Sequence, residues 1–323
     1  MAWKGTGPAC TLQALKEHVR YTGAQVALRV GSELAMSNLA TLSLALGLAL
    51  SLPSVALDDD APPAEPASLR VMSFNIRYGT ARDGDHVWPL RRELVEQRIA
   101  DFAPDVLALQ EALAFQLEQL ESVLEGYVQV GQHREGGTGG EFSGLYVRQE
   151  LELLERGEFW FSETPGEPGS KSWDSSLPRM AAWVDVRTSE QAPALRIYGT
   201  HYDHRGREAR RRASEMILEH AADSERVIVM GDLNAREVDE PVALFLEAGY
   251  RSAVLEHEPE TERGTFNGFR DEEGGGRRID HVLVRGPLNV TEAAILGGRL
   301  GELFPSDHDA VVAVLGWGAE EPR

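Results

Sequence analysis

The segment VIVMGDLN at Val227–Asn234 defines one strand of the predicted fold and the polar cluster at its end. Ser306-Asp307-His308 has the complementary placement, because it directly precedes the apolar run Ala310–Leu315. Acids, an amide and an imidazole at strand ends suit a hard cation and an attacking water. The two clusters together indicate hydrolysis of a phosphate ester.

Strand-like and helix-like segments alternate through the rest of the chain. Apolar spacing predicts about ten strands and four helices, the helices at 88–102, 112–124, 205–222 and 241–248. There is no internal repeat, and no domain break follows Ser68. With 323 residues and 42% hydrophobic content, the chain can form one large core or two smaller ones. The pattern favours a mixed α/β domain.

The N-terminal part of the sequence is predicted to carry an export signal. Residues 39–52 are apolar over the length of a signal-peptide core, and Ser54-Val55-Ala56 offers a small-x-small cleavage site. We expect an N-terminal extension at 1–57, a disordered linker at 58–68, the folded domain at 69–318 and a tail at 319–323. The protein is expected in the periplasm or outside the cell, or membrane-anchored if the signal stays uncleaved.

Charge and cysteine content disfavour several classes of function. The formal net charge is −20, and a strongly acidic surface repels polyanions at long range. Tight, nonspecific binding of duplex DNA relies on Lys and Arg contacts to phosphates, and the sequence has no clear basic stripe with interleaved aromatic residues. Cys10 is the only cysteine, so an intramolecular disulfide is excluded and a thiol mechanism is disfavoured.

Polar side chains recur at the ends of the strand-like runs. Five of them lie at or just past the C-terminal end of such a run: Asn75, Glu111, His201, Asp232 and Asn234. Asp280 lies within or near the start of another run, and Asp307-His308 directly precedes the last one. A buried carboxylate without a partner is costly. So many polar groups at strand ends therefore indicate a shared site.

These residues resemble the motifs of the endonuclease/exonuclease/phosphatase superfamily, which includes deoxyribonucleases, inositol polyphosphate phosphatases and neutral sphingomyelinases. The matching pieces occur in the family's order and cover nearly all of 69–316: Ser73-Phe74-Asn75-Ile76-Arg77, Leu109-Gln110-Glu111, Thr200-His201-Tyr202-Asp203-His204, Gly231-Asp232-Leu233-Asn234, Arg278-Ile279-Asp280-His281 and Ser306-Asp307-His308. The resemblance implies an α/β fold with four layers, an α-β-β-α sandwich in which two mixed β-sheets are flanked by helices.

The resemblance also implies a metal site. Glu111 would be the principal ligand of Mg²⁺ or Mn²⁺, with Asn75 and Asp307 helping. Mg²⁺ takes oxygen ligands and keeps several waters, so few protein carboxylates are needed. The ion would neutralise phosphate charge and stabilise the leaving oxygen.

The remaining family positions imply catalytic roles. His308 would be the general base or a group that stabilises a phosphoryl oxygen, and Asp280 would orient and polarise it. Asp232 and Asn234 would position the attacking water and a phosphoryl oxygen, and His201 would hydrogen-bond the phosphate. Because there is neither a Ser/His elbow motif nor a reactive cysteine, water is the expected nucleophile.

Further residues are candidates for binding the substrate phosphate. Arg179 could clamp a nonbridging oxygen, although an ordinary surface ion pair is the alternative. Asp203 and His204 could form a second polar wall, with Arg207 or Arg205 holding phosphate at the start of the next helix. The alternative for this segment is helix capping by Asp203 or His204 beside solvated arginines.

The sequence thus predicts an exported, Mg²⁺- or Mn²⁺-dependent phosphoesterase. We expect a monomer that acts on a small phosphodiester, phosphomonoester or lipid head group, with no obligate membrane partner. A secreted nuclease acting on DNA or RNA is the main alternative. A catalytically inactive binding module is the other, but its expected feature is a lost metal or base residue, and none is missing.

Overall fold

The computed structural model describes residues 68–271 and 276–317. The predicted signal peptide, nearly all of the linker at 58–68 and the tail at 319–323 lie outside the described residues. Within the described ranges, none of the helices combines the length and the apolar character needed to cross a bilayer.

Twelve strands and five α-helices make up the part of the chain that the structure describes. The strands are β1 (Leu69–Asn75), β2 (Val106–Ala112), β3 (Tyr127–His133), β4 (Phe142–Arg148), β5 (Glu152–Trp160), β6 (Met180–Arg187), β7 (Leu195–His201), β8 (Val227–Asp232), β9 (Arg251–Ser252), β10 (Asp280–Arg285), β11 (Leu288–Leu296) and β12 (Ala310–Trp317). The helices are α1 (Trp88–Phe102), α2 (Ala114–Gln119), α3 (Arg207–His220), α4 (Glu240–Glu247) and α5 (Ala253–His257).

The strands form two six-stranded mixed sheets. The first has the order β11-β12-β1-β2-β4-β3, and the second has the order β5-β6-β7-β8-β10-β9. Only β1–β2 and β7–β8 pair in parallel, and every other neighbouring pair is antiparallel. With helices packed outside both sheets, the predicted α-β-β-α sandwich is confirmed.

The main core lies between the two sheets. Successive side chains of a strand point to opposite faces, so alternate apolar residues of each sheet meet in the middle. Val71 of β1 and Leu145 of β4 pack in one buried cluster with Ile197 of β7 and Met230 of β8. The intervening residues face the helices instead. This packing holds the two sheets together and places the ends of their central strands side by side.

The helices cover the outer faces of the sheets. Val95 and Ile99, one helical turn apart on α1, pack with Met72 and Phe74 of β1. On the other side, Ile217 of α3 belongs to a separate buried cluster with residues of β7 and β8. Because each helix buries one apolar stripe, its opposite face remains available to solvent.

The structure differs from the predicted elements in two places. The helix predicted at 112–124 spans only Ala114–Gln119. It starts later because Ala112 still pairs in β2. It ends earlier because the chain after Leu120 forms turns in which an amide donates to the carbonyl three residues before it. The helix at Ala253–His257 and the two-residue strand before it were not predicted. A helix of five residues and a strand of two residues are too short for an apolar pattern to recur and be recognised.

Strand ends from both sheets meet at one edge of the sandwich. Asn75 is the last residue of β1, and His201 is the last residue of β7. His201 lies opposite Asp232, the last residue of β8, which in turn pairs with Asp280, the first residue of β10. The backbone register therefore brings the predicted polar residues to a common place.

We expect Gly231→Ala to destabilise the fold. Gly231 has φ +152°, and an added Cβ would collide with the carbonyl oxygen of Thr200 on β7. Backbone strain of this kind costs about 1–3 kcal/mol, and the collision would add to it. Urea unfolding should show the loss, with Gly166→Ala as the control because a Cβ there meets nothing within 4 Å. Equal unfolding free energies for the two variants would contradict this account.

Candidate active site

The strand ends open into a cleft of about 1060 Å³. Its floor and walls include most of the predicted site residues: Glu111, Arg179, His201, His204, Asp232, Asn234, Asp307 and His308. Asn75 and Asp280 are buried beneath them and reach the cleft through hydrogen bonds. Arg207 is exposed and is the one predicted residue that neither lines this cavity nor lies buried beneath it.

A histidine–aspartate pair occupies one side of the cleft. Nδ1 of His308 lies 2.8 Å from Oδ2 of Asp280, and the hydroxyl of Thr265 donates to the same oxygen at 2.5 Å. Thr265 Oγ1 in turn accepts from the amide of Asp280 at 3.0 Å. The pair therefore fixes the imidazole plane and leaves Nε2 available to other groups.

Charge favours the protonated form of this imidazole. Burial lowers the pKa of His308, but the charges of Asp280 and Asp232 outweigh it and hold that pKa well above its usual value. Nε2 lies 3.9 Å from Oδ2 of Asp232. The ring can therefore donate a proton or a hydrogen bond into the cleft from Nε2.

Asp232 lies at the centre of the site. Its Oδ2 accepts from Nδ2 of Asn75 at 3.1 Å and lies 3.3 Å from Nε2 of His201, while its Oδ1 accepts from the amide of Asn234 at 2.9 Å. Burial and the nearby charge of Asp280 raise the pKa of Asp232 to about 7. A carboxylate with that pKa can accept a proton from water near neutral pH.

His201 is a neutral ring rather than an ion-pair partner. Burial, reinforced by the nearby charge of Arg179, lowers the pKa of His201 well below its usual value. The 3.3 Å separation between Nε2 of His201 and Oδ2 of Asp232 therefore brings a neutral ring, and not a cation, against the carboxylate.

Two of the polar residues adopt left-handed backbone conformations. Glu111 has φ +64° at a bulge in β2, and Asn234 has φ +48° just beyond β8. A bulge redirects a side chain out of the strand's alternation, and such strain persists where the surroundings enforce it. Both residues consequently point their side chains into the cleft.

The opposite side of the cleft carries a set of oxygen donors. Glu111 accepts from Nδ2 of Asn75 at 3.0 Å and from the amide of Tyr78 at 3.1 Å. Asp307 lies 3.6 Å from a guanidinium nitrogen of Arg77. Burial raises the pKa of Asp307, and the negative charge of Glu111 raises it further, while the charge of His308 lowers it.

These residues fit a divalent cation. Two neighbouring carboxylates and a side-chain amide are the oxygen ligands that Mg²⁺ and Mn²⁺ accept. Asp232, Asp280 and His308 also offer ligand atoms within 4.8 Å of one another. In that second group, however, Asp280 and His308 already bind each other, so the oxygen donors at Glu111 and Asp307 fit a hard cation better.

Arg91 supports the site from below, and the sequence reasoning did not identify it. The side chain is fully buried, and its guanidinium donates to the carbonyls of Ile76, Arg77, His86 and Pro305 at 2.5–3.1 Å. It thereby ties the segment after Asn75 to the segment before Asp307. Arg91 lies three residues after Trp88 and four before Val95, in line with the buried stripe of α1, and this spacing is the signal that could have found it.

The start of α3 is capped by the protein itself. Asp174 accepts from the amides of Glu208 and Ala209 at 3.3 and 2.8 Å, and Asp203 accepts from those of Arg205 and Gly206 at 2.9 and 2.7 Å. These amides are therefore not free for a phosphate. The phosphate role of Arg207 stays a prediction for its guanidinium. Asp203 bonds the amides just before the helix, and Asp174, which neither alternative named, bonds those of the first turn.

Asp203 also anchors the loop beside Arg179. Its Oδ2 accepts from the amide and hydroxyl of Ser176 at 2.9 and 2.6 Å and from the amide of Leu177 at 3.1 Å. Burial raises the pKa of Asp203, but the hydrogen bonds to its carboxylate outweigh that effect and hold the pKa far below its usual value. The carboxylate is thus a structural anchor of the cleft wall.

We expect Asp203→Asn to lower the free energy of unfolding by about 1.5–3 kcal/mol at pH 7, the range for hydrogen bonds to a charged group. Since the folded-state pKa is depressed, the carboxylate stabilises the fold above the unfolded pKa of about 3.9 and loses this effect as pH falls below it. Denaturant unfolding from pH 7 to pH 3 should therefore show the gap between the two proteins narrowing. The exposed Asp223→Asn is the control, and a pH-independent gap would contradict the assignment.

The chain is similar to proteins of known family and known structure. A model described as Endonuclease/Exonuclease/phosphatase family matches residues 72–308. A solved protein of that family from Bacteroides thetaiotaomicron is 28% identical, covers 79% of this chain and 100% of its own, and superposes with a TM-score of 0.71.

Two further solved structures are also similar to the chain. A mannosyl-6-phosphatase from Bacteroides thetaiotaomicron is 28% identical, with coverage of 77% and 100% and a TM-score of 0.69. TDP2 from D. rerio, in complex with a single-strand DNA product, is 20% identical, with coverage of 77% and 99% and a TM-score of 0.61. No curated protein matches the chain.

Proposed function

Because the chain belongs to the endonuclease/exonuclease/phosphatase family, a family of phosphoester hydrolases, we propose that it cleaves a phosphate ester with an activated water and a Mg²⁺ or Mn²⁺ ion. The observation that carries this proposal is the Asp280–His308 pair, which shares its cleft with Asp232 and with the carboxylates of Glu111 and Asp307. Proton-transferring groups on one side and cation ligands on the other are what hydrolysis of a phosphate requires.

Each side chain then has a task that follows from its contacts. His308, protonated beside Asp280, donates from Nε2 to a phosphoryl oxygen. Asp232 accepts a proton from the attacking water, and Asn234 fixes Asp232 through its backbone amide. His201 donates from its neutral ring and keeps Asp232 in place until substrate arrives.

Glu111 and Asp307, supported by Asn75, would hold the divalent ion. The bound ion would neutralise charge on the phosphate and stabilise the leaving oxygen. Asn75 contributes in two ways, because its amide nitrogen contacts both Glu111 and Asp232 and so links the cation side to the proton-transfer side.

For the substrate we favour the phosphate ester of a small molecule. A similar protein, at 28% identity, is a mannosyl-6-phosphatase, which supports a sugar phosphate. The half-buried ring of Phe266, 5.0 Å from the His308 ring, gives one wall an apolar surface on which a sugar ring could rest. The net charge of −20 weighs against the nuclease alternative. TDP2, at 20% identity, supports the fold alone.

We also propose that the protein is exported and acts as a monomer without a membrane partner. The export is supported by the apolar segment 39–52 and the cleavage-site pattern after it. Detection of the full chain in periplasmic, membrane and extracellular fractions would test it.

A substrate panel tests the proposed function. Purified protein is incubated with Mg²⁺, with Mn²⁺ or with EDTA and offered hexose phosphates, p-nitrophenyl phosphate, bis-p-nitrophenyl phosphate, lipid head-group phosphates, sphingomyelin, plasmid DNA and RNA. We expect metal-dependent turnover of a small ester and little cleavage of the nucleic acids. Preferential cleavage of DNA or RNA would establish the nuclease alternative. Absence of turnover on all of them would favour the inactive binding module.

A further inference from the structure

We propose that Arg134 and Arg179, held by Glu141, form a subsite for the nonbridging oxygens of a terminal phosphate and select phosphomonoesters over phosphodiesters. This inference rests on the proposed function, since it concerns the same cleft. It extends that proposal by assigning a new residue, Arg134, and by naming the class of ester.

The two arginines come from different elements and meet on one wall of the cleft. Arg134 directly follows β3 in the hairpin that leads to β4, and Arg179 directly precedes β6. Both line the cleft together with Glu141 and His204. Their exposed fractions are only 8% and 5%, so they belong to the interior of the wall rather than to its rim.

The guanidinium groups have more donors than the protein uses. Nη2 of Arg134 lies 3.0 Å from Oε1 of Glu141, and Nη1 of Arg179 lies 3.9 Å from Oε2. Among the described residues, Nε and Nη1 of Arg134 and Nε of Arg179 have no hydrogen-bond partner although they are buried. Buried donors without acceptors are costly. Because these atoms are enclosed, each guanidinium has to turn within the wall before an acceptor oxygen of a ligand in the cleft can satisfy it.

The charges point to an anion. Two guanidinium groups share the single carboxylate of Glu141, so this wall carries excess positive charge in a protein of net charge −20. Arg179 is also close enough to His201 to lower the pKa of that ring. An anion bound to the arginines would therefore lie beside the proton-transfer residues, which is where the reacting phosphate must be.

The number of free donors distinguishes the two ester classes. A phosphomonoester near neutral pH carries a charge of about −1.5 to −2 and has three nonbridging oxygens. A diester carries a single charge and two such oxygens, which the metal side and His308 would already engage. The extra oxygen and charge of a monoester match the unsatisfied donors of Arg134 and Arg179.

The test compares Arg134→Met with the wild-type protein on p-nitrophenyl phosphate and bis-p-nitrophenyl phosphate. We expect kcat/KM to fall by about 10- to 100-fold on the monoester, as for loss of charge-assisted hydrogen bonds, and by less than about threefold on the diester. Because Arg134→Met leaves Glu141 with a poorer partner, Arg134→Met/Glu141→Gln serves as a second variant and should show the same selective loss. Arg148→Met, an arginine stacked on Tyr127 outside the cleft, is the control.

Competition assays supply a binding readout. Inorganic phosphate should inhibit the wild-type protein better than dimethyl phosphate does, and this preference should disappear in Arg134→Met. Three results for Arg134→Met would overturn the subsite. They are equal losses of kcat/KM on both esters, an unchanged preference for inorganic phosphate, and a loss confined to substrates with a second anionic group. If the wild-type protein hydrolyses neither aryl ester, the full substrate panel decides the proposed function, and calorimetric binding of inorganic phosphate to the wild-type protein and to Arg134→Met decides the role of Arg134.

Discussion

Replacing His308 with alanine is expected to reduce kcat by about 10²–10⁴-fold, the range for loss of a positioned acid or base. Among the contacts that the structure describes, the His308 imidazole is the only group that Asp280 holds toward the cleft, and the variant removes it. Since the Nε2 atom of His308 is the proposed donor to a phosphoryl oxygen, its loss should act on the transition state. The effect should therefore appear in kcat at saturating substrate, with a smaller change in KM.

The same variant leaves the buried Asp280 carboxylate without its cationic partner, so folding must be monitored alongside activity. His308→Gln keeps a side-chain amide near the position of Nε2 and provides a better-tolerated second variant. His257→Ala, at an exposed position on α5, is the matched control. A loss of tenfold or less in His308→Ala, with the fold intact, would remove His308 from the reaction.

Glu111→Gln is expected to weaken the dependence on divalent ions and to lower turnover while the fold remains intact. The substitution preserves size but removes the charge that the cation would meet. Substitution of a residue that only supports a metal ligand already costs about 10- to 100-fold in metal affinity or activity. Substitution of a ligand itself should cost at least that much. Titration of turnover with Mg²⁺ and Mn²⁺ measures this, and calorimetry of Mn²⁺ binding provides a readout that is independent of catalysis.

The exposed Glu121→Gln is the control for Glu111→Gln, because it makes the same chemical change on the protein surface. Near-normal turnover with an unchanged ion requirement would show that Glu111 is not a ligand. The carboxylates of Asp307 and Asp232 would then be the remaining candidates near the cation.

The strand pattern predicted a mixed α/β domain and most of the cleft, because strand ends are encoded locally, and the family resemblance supplied the two-sheet sandwich. An apolar run followed by a polar residue, as at Val227–Asp232, defines both the strand and the point where its side chains leave the core. Once the strands pair, the backbone register brings Asp232 opposite Asp280 and His201 without further information. The family motifs supplied the order in which these pieces occur.

The remaining features depend on contacts between distant segments. Arg91 lies on α1 but bonds the carbonyl of Pro305, 214 residues further along the chain. The capping of α3 by Asp174, which occupies two amides of the first helical turn, joins positions 35 residues apart. The unsatisfied donors of Arg134 likewise become visible only when burial and partners are known. No periodicity or short motif reports such pairings.

The central claim is that water attacks a phosphate ester within this cleft. Hydrolysis of a hexose 6-phosphate in H₂¹⁸O, with Mg²⁺ or Mn²⁺ present, tests it most directly through mass spectrometry of the products. The account predicts that each turnover places one ¹⁸O atom in the released phosphate and none in the sugar alcohol. Label in the sugar, or phosphate released without label, would contradict it.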